Sequence, residues 1–474
     1  MVLKVFNTLT RKKEAFKPMK DKEVKMFVCG PTVYDFSHLG HAKTYVQFDI
    51  IVRYLRHKGY KVFYLQNITD LDDKIIERAQ KEGLTPEALA RRFEEEFYKD
   101  MESLGINSVN KYARATDYIK EIISQVKRLL EKGYAYEIED GIYFDLSKFK
   151  DYGKLSGRTT LEAEDAVSRI DESVNKRNKG DFCLWKRSKP NEPKWPSPWF
   201  EGRPGWHIED TAITEAHFGP QYDIHGGARD LIFPHHEAEI AQMESISGKK
   251  PFVKYWLHTG FLTVEGRKMA KSLGNFVTIR DALKKYDAET LRFFFASSHY
   301  RSPIDYSEKN LEQAKINLEK LYNTLESLQG AKKRKELTES EKEFKKSIEE
   351  CKRKFEAFMD DDFNTSKALA CLYELSSRAN SLISMQNGEI NESLSDEVIK
   401  TFRELGQIFG ILQKEIKREE LPEEVKNLII RREALRKIGN FKAADEIREK
   451  ILREFGILIE DTKDGIKWKK VRNK

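Results

Sequence analysis

The apolar rhythm of the chain changes near Ser307. Upstream, short continuous apolar runs alternate with segments of helical spacing; downstream, apolar residues recur every three or four positions. Residues 1–24 are polar with isolated apolar positions and read as a lead-in strand or arm. Residues 26–29 form a compact apolar run closed by Gly30-Pro31, and residues 42–58 follow without Gly or Pro until Gly59. A second run, residues 61–65, comes after that glycine. Strand, helix and strand in this spacing predict a βαβ unit on a parallel sheet. Residues 67–74 then fall at the carboxyl end of the second strand, where open α/β sheets bind ligands.

Farther along, Thr116 is expected to cap a helix whose apolar face is Ile119, Ile122, Ile123, Val126, Leu129 and Leu130, stopped by Gly133. Residues 134–146 alternate around Asp140-Gly141, a hairpin signal. A polar, aperiodic stretch to Asp181 and a Trp-, Pro- and Gly-rich stretch to Gly205 complete an insertion. The sheet resumes near Trp206. Residues 222–227 read as a strand entering a glycine turn, and Pro234 opens a helix carrying His235, His236 and Glu239. Beyond the lysine-bearing loop at 266–275 no clear strand pattern is visible.

Leu311, Ala314, Leu318, Leu321, Leu325 and Leu328 form a narrow apolar stripe, and Phe344, Ile348, Cys351, Phe355 and Phe358 form another. Helices with such stripes must pack on other helices. Cys371 reads as core like Cys351, and a further helix carries Phe402, Leu405, Phe409 and Leu412. Lys332-Lys333-Arg334-Lys335 reads as a solvated helix connection. After Pro422, two short helices flank Gly439-Asn440, and two strands meet at Asp464-Gly465. In this basic end Trp468 fits either a base-stacking surface or the module's own core.

These elements give an α/β fold: a Rossmann-like parallel-sheet catalytic domain with an inserted domain, then a helical bundle and a small basic C-terminal α+β module. The expected divisions are 1–110 with 201–265 for the sheet domain, 111–200 for the insertion, 266–306 for the lysine loop and its stem-contact region, 307–415 for the bundle and 416–474 for the C-terminal module. A length of 474 residues is too great for one core, and 34% charged residues suit extended helical surfaces. The net charge of +7 is compatible with a polyanionic partner without requiring one. Four cysteines, Cys29, Cys183, Cys351 and Cys371, lack paired spacing, and no apolar run reaches membrane length. The expectation is a soluble protein of the reducing cytoplasm.

Candidate chemistry changes this picture at three places. His38 and His41, three apart at a helix start, suit phosphate oxygens, and Gly40 between them permits close approach; two polar surface histidines would fit the spacing equally well. Lys268 and Lys271, three apart in a glycine-bounded loop, suit the charge of a departing polyphosphate, although a solvated basic loop has the same composition. Cys29, His235 and Glu239 are of zinc-ligand type, the last two one helical turn apart; core cysteine and surface His-Glu pairs are the commoner alternatives. Asp70, Asp72 and Asp73 read more readily as a helix N-terminus than as an acidic metal loop.

His38-Leu39-Gly40-His41 followed by Lys268-Met269-Ala270-Lys271-Ser272 resembles the HIGH and KMSKS signatures of class I aminoacyl-tRNA synthetases. The segments 27–34, 69–74, 203–209, 223–227, 233–237 and 359–365, with the ending Gly465 to Trp468, are similar to the cysteinyl-tRNA synthetase family over nearly the whole chain. That resemblance implies a monomeric enzyme that activates L-cysteine with ATP and Mg²⁺ and loads it onto tRNA(Cys). It further implies one zinc per chain on Cys29, Asp210, His235 and Glu239, binding the substrate thiolate. His38, Gly40, His41 and Lys271 would face ATP, with His38, His41, Lys268 and Lys271 catalytic, and Thr32, Thr69 and Trp206 would line the amino-acid pocket. Two positions depart from the family: Asp210 stands where cysteine is usual, and Ala270 where serine is usual. A ligase joining cysteine to an amino sugar would share the core but not need the helical and basic C-terminal parts. A catalytically inactive RNA-binding paralogue would not need His38, His41, Lys268 and Lys271.

Overall fold

The computed structural model describes residues 2–158, 175–269, 273–416, 421–462 and 465–470. Five parallel strands form its centre, in the order Val253–Thr259, Tyr222–Ala228, Glu23–Val28, Lys61–Ile68 and Lys111–Arg114. Their sequence order reverses between Glu23–Val28 and Tyr222–Ala228, which opens a crevice at the carboxyl ends of those two strands. The strand residues there are buried almost without alternation, as expected when helices cover both faces. The helix Leu39–His57 follows the first of them and is buried along most of its length.

The polar lead-in forms a hairpin, Lys4–Asn7 with Lys12–Ala15. The insertion carries an antiparallel sheet of Ala135–Ile138, Gly141–Phe144, Phe182–Arg187 and Gly202–Pro204, with the hairpin at Asp140-Gly141. Strand Lys111–Arg114 of the central sheet lies beyond residue 110, and Gly202–Pro204 extends the antiparallel sheet beyond residue 200.

Several local expectations give way to tertiary contacts. Thr116 does not cap the helix Ile119–Glu131; it sits in a 3-10 turn and turns its N–H and hydroxyl to Asp70, at 3.0 and 2.6 Å. At Trp206 a helix begins, Trp206–Phe218, rather than a strand. Gly226 and Gly227 lie within a strand, not a turn. A Cβ at Gly226 would meet the Phe48 ring at 2.4 Å and one at Gly227 the His236 ring at 2.8 Å, so packing demands glycine. Beyond the lysine loop a strand does exist: Ile304–Tyr306 pairs with Leu262–Val264, which also pairs with Arg267–Lys268. Strands of two or three residues are too short to show alternation.

The stripes predicted after Ser307 are buried in the helices Glu308–Gly330 and Glu339–Met359, with Met359 rather than Phe358 closing the second. Thr365–Met385 and Glu392–Phe409 complete the bundle, which shares one continuous apolar core with a face of the central sheet. Lys332-Lys333-Arg334-Lys335 connects two helices with Lys332, Lys333 and Lys335 exposed, as expected, but Lys332–Arg334 is also a strand parallel to Glu389–Asn391, with Lys333 Nζ donating to Leu328 O and Ser395 Oγ at 2.6 Å each. The C-terminal helices Glu423–Lys437 and Phe441–Phe455 pack with the strands Ile457–Thr462 and Gly465–Lys470 around Val425, Ile451, Ile457 and Ile459. Trp468 is partly buried against that core. Asp464, of the expected turn, lies outside the described residues. No described helix is long and apolar enough to cross a membrane.

Candidate active site and metal centre

The helix Leu39–His57 starts with histidines acting on each other. His38 is its N-cap, and its Nδ1 accepts from the N–H groups of Gly40 (3.0 Å) and His41 (3.4 Å), while His41 Nδ1 accepts from His38 N–H at 3.4 Å. The two rings stack at 3.8 Å. A Cβ on Gly40 would press on the His38 ring at 2.8 Å, so the cap requires glycine there. An accepting Nδ1 places the ring proton of a neutral imidazole on Nε2, which makes both residues Nε2–H donors. Burial, then the neighbouring His38, pushes the pKa of His41 well below the usual histidine value, so it is neutral at pH 7.

The segment after the lysine loop is tied to this helix start. Leu39 N–H donates to Val277 O at 3.1 Å and Ile279 N–H to Ser37 O at 3.0 Å, and the Phe276 ring meets His38 edge-on at 5.3 Å. Lys268 ends the short strand Arg267–Lys268. Lys271 and Ala270 lie outside the described residues.

Thr32 and Thr69 pair in a parallel bridge just past the paired strands Glu23–Val28 and Lys61–Ile68, beside the crevice. The Thr69 hydroxyl donates to Glu209 at 3.2 Å and accepts from Asn67 at 3.2 Å. Trp206, first residue of its helix and half-buried, stacks on His235 with centroids 4.3 Å apart. Tyr45 joins the two halves of the site: it stacks on His41 at 6.0 Å, and burial, then the nearby ionisable Cys29, raises its pKa.

Behind Trp206 lies a buried cluster in which Cys29, Asp210, His235 and Glu239 each offer one ligand atom, all within 4.8 Å of one another. Cys29 comes from the end of Glu23–Val28, Asp210 from Trp206–Phe218, and His235 and Glu239 from successive turns of His235–Ser247. Asp210 Oδ2 lies 3.4 Å from Cys29 Sγ and 3.0 Å from His235 Nε2. A second set, Cys29, His225, His236 and Glu239, meets the same criterion and shares two members with the first. His236 Nε2 is 3.1 Å from Cys29 Sγ, its Nδ1 is 2.8 Å from His258, and His258 is 2.8 Å from Thr8 Oγ1. His207 meets His235, Nδ1 to Nδ1, at 2.9 Å.

Composition alone did not point to His207, His225, His236, His258 or Glu209. For His207, Glu209 and His236 the signal was the density of His and Glu in two short segments, 207–210 and 235–239, which only the fold brings together; His225 and His258 lie outside both segments and carried no such signal.

The cluster lacks compensation. Both Glu239 oxygens and Oδ1 of Asp210 are buried without a hydrogen bond, although imidazole nitrogens of His235 and His225 stand 3.2 and 3.4 Å from Glu239. Burial, then the Asp210 carboxylate, pushes the pKa of Cys29 and of Glu239 well up, and burial pushes those of His225 and His236 well down. Two carboxylates, a thiol and imidazoles that face one point, with Asp210 Oδ1 and both Glu239 oxygens left without a hydrogen bond, suit a divalent cation. The chemistry of the donors fits zinc.

Residues 15–316 match the family model of the tRNA synthetases class I (C) catalytic domain. The solved Mycobacterium tuberculosis methionyl-tRNA synthetase in complex with methionyl-adenylate shares the fold, with a TM-score of 0.60 at 17% identity over 82% of this chain and 89% of that one. Fold and catalytic-domain model together define a class I aminoacyl-tRNA synthetase. Residues 354–413 match the DALR domain and 418–468 the cysteinyl-tRNA ligase anticodon binding domain. The Cysteine--tRNA ligases of Pyrococcus horikoshii and Thermococcus gammatolerans are 51% and 49% identical to the chain, with all of each protein covered. That of Methanococcus maripaludis is 48% identical over 99% of this chain and all of its own length. The chain belongs to the cysteine–tRNA ligase family.

Proposed function

We infer that this chain activates L-cysteine with ATP, releasing pyrophosphate, and transfers the cysteinyl group from the adenylate to tRNA(Cys), releasing AMP. Full-length similarity to proteins named Cysteine--tRNA ligase carries the reaction, and the amino-sugar ligase and the inactive paralogue draw no support from those relatives. The reading places the enzyme in the cytoplasm as a monomer, with ATP arriving as its Mg²⁺ complex.

The unsatisfied carboxylate oxygens of Asp210 and Glu239 beside Cys29 and His235 carry the amino-acid specificity. We assign zinc to Cys29, Asp210, His235 and Glu239. Bound there, zinc supplies a Lewis-acid site that a thiolate fills far better than an alcohol. Trp206 covers the site by stacking on His235, and Thr32 and Thr69, bridged to each other past the ends of Glu23–Val28 and Lys61–Ile68, stand beside the crevice. The Nε2–H groups of His38 and His41 donate to phosphate oxygens of ATP, beside the positive end of their helix. Lys268 and Lys271 stabilise charge on the departing pyrophosphate. Positioning and charge do most of the work, since the substrate's own carboxylate is the nucleophile.

Cysteine-dependent ATP–pyrophosphate exchange tests the loop assignment. Loss of one such electrostatic contact costs about 10²–10³ in rate, so Lys271→Ala should slow exchange by that factor with cysteine affinity nearly unchanged. Exchange at the wild-type rate would remove Lys271 from the mechanism.

A further inference from the structure

Among the described residues only one lysine is buried, Lys43, with 1% of its surface exposed. It lies two residues after His41 in the helix Leu39–His57, and no carboxylate among the described residues pairs with it. Its Nζ donates instead to two backbone carbonyls, Gly260 O at 2.6 Å and Tyr300 O at 3.4 Å. Thr44 adds a second link, its Oγ1 3.0 Å from Thr259 Oγ1. Burying an amine without a counter-ion is costly, and burial holds the Lys43 pKa down to about 7. An apolar side chain would fill this space at less cost, so the use of the amine lies in the two carbonyls it binds.

Their position gives those bonds a purpose. Gly260 leaves the strand Val253–Thr259 and leads through Leu262–Val264 into the lysine loop, of which it is the inbound stalk. Tyr300 leads through Ile304–Tyr306 to the helical bundle. The two segments touch backbone to backbone: Gly260 N–H donates to Tyr300 O at 2.8 Å, and a Cβ on Gly260 would lie 2.4 Å from the Ser302 carbonyl. The outbound stalk is fixed separately, by the bonds from residues 37 and 39 to residues 277 and 279. The helix that carries His38 and His41 therefore grips the loop at both ends, at its cap and again at Lys43.

We propose that Lys43, assisted by Thr44, is a positioning residue for adenylate formation: it fixes the inbound stalk of the 266–275 loop to the helix that presents His38 and His41. The proposal rests on the reading of that loop as the one facing phosphate.

The test is single-turnover formation of cysteinyl-adenylate by the full-length enzyme, with cysteine binding measured separately, in Lys43→Met, Lys43→Arg and Lys271→Ala. Displacing catalytic groups by about 1 Å costs about 10²-fold, so Lys43→Met should slow the step roughly 10–100-fold with cysteine affinity unchanged. Lys43→Arg, which keeps donors for both carbonyls, should recover most of the rate. A normal rate in Lys43→Met, or equal losses in Met and Arg, overturns the proposal; equal losses would show that packing matters and the donors do not. A slow Lys271→Ala beside a normal Lys43→Met removes this proposal alone, whereas a normal Lys271→Ala removes the loop reading and this proposal with it. If Lys43→Met does not fold, Thr44→Val replaces it: a smaller slowing is expected, and a normal rate is decisive against.

Discussion

Two acidic groups flank the same crevice and differ in one respect. In the stretch Asp70-Leu71-Asp72-Asp73 every aspartate has a matched partner. Asp70 binds Arg91 and Thr116, Asp72 caps the helix Asp73–Glu82 through Lys74 N–H at 2.9 Å, and Asp73 pairs with Arg203 and, at 3.2 Å, with Lys186. In the other group, Asp210 and Glu239 are fully buried and face only a thiol and imidazoles, and no lysine or arginine pairs with either among the described residues. The first group is finished structure. The second has the make-up of a ligand set, because buried carboxylates without a cation are costly and a cation would complete them. Both groups are acidic in the sequence; the supply of partners separates them.

The largest expected effect breaks the unmatched group. Glu239→Ala should strip zinc, measured as metal per chain, and lower cysteine-dependent exchange by about 10²-fold or more, since even residues that merely support metal ligands cost 10–100-fold. The metal-free variant should melt no lower than metal-free wild type, because a buried carboxylate without a partner has been removed. Asp210→Ala should weaken zinc retention likewise, and Asp210→Cys should keep it. Full zinc in either alanine variant would dissolve the distinction between the two groups.

The opposite result is expected at Asp70. Asp70→Ala leaves the half-buried Thr116 N–H and hydroxyl without their acceptor, so unfolding should become easier by about 1 kcal/mol. Zinc content should not move. The smallest effect belongs to Asp73, a half-exposed pair of the kind worth about 0.2–1 kcal/mol. Burial pushes its pKa up, but Arg203 and Lys186 outweigh that and hold it below the ordinary value of 3.8. A depressed carboxylate stabilises above its unfolded pKa and loses that share as pH falls through the folded one. The melting difference between wild type and Asp73→Asn should therefore shrink to nothing as the medium is acidified below that range.

Much of this architecture was legible in the sequence because it rests on local signals. Gly30-Pro31 and Gly59 bound the first strand and helix, the leucine spacing after Ser307 sets the bundle, and Asp140-Gly141 sets the hairpin. What escaped rests on contacts between distant segments. Thr116 follows Asp70 rather than its own helix, and the Lys332–Arg334 strand exists only because Glu389–Asn391 lies beside it. Gly226 and Gly227 look like a turn until Phe48 and His236 are seen against them. In the candidate metal centre, His235 and Glu239 share a helix and could be paired by spacing, but Cys29 and Asp210 join them only through the fold. Lys43 carried no sequence signal at all, since a lysine in a helix is ordinarily solvated.

The central claim is that the unmatched cluster holds the ion that tells cysteine from serine. Zinc per chain, with cysteine- and serine-dependent exchange, should be measured on one wild-type sample before chelation, after it, and after zinc is restored. The account predicts one zinc per chain, no exchange with serine, loss of cysteine exchange with the metal and its return on reloading. A metal-free chain that still activates cysteine and still rejects serine would contradict it, and the shape of the pocket would then have to make the choice.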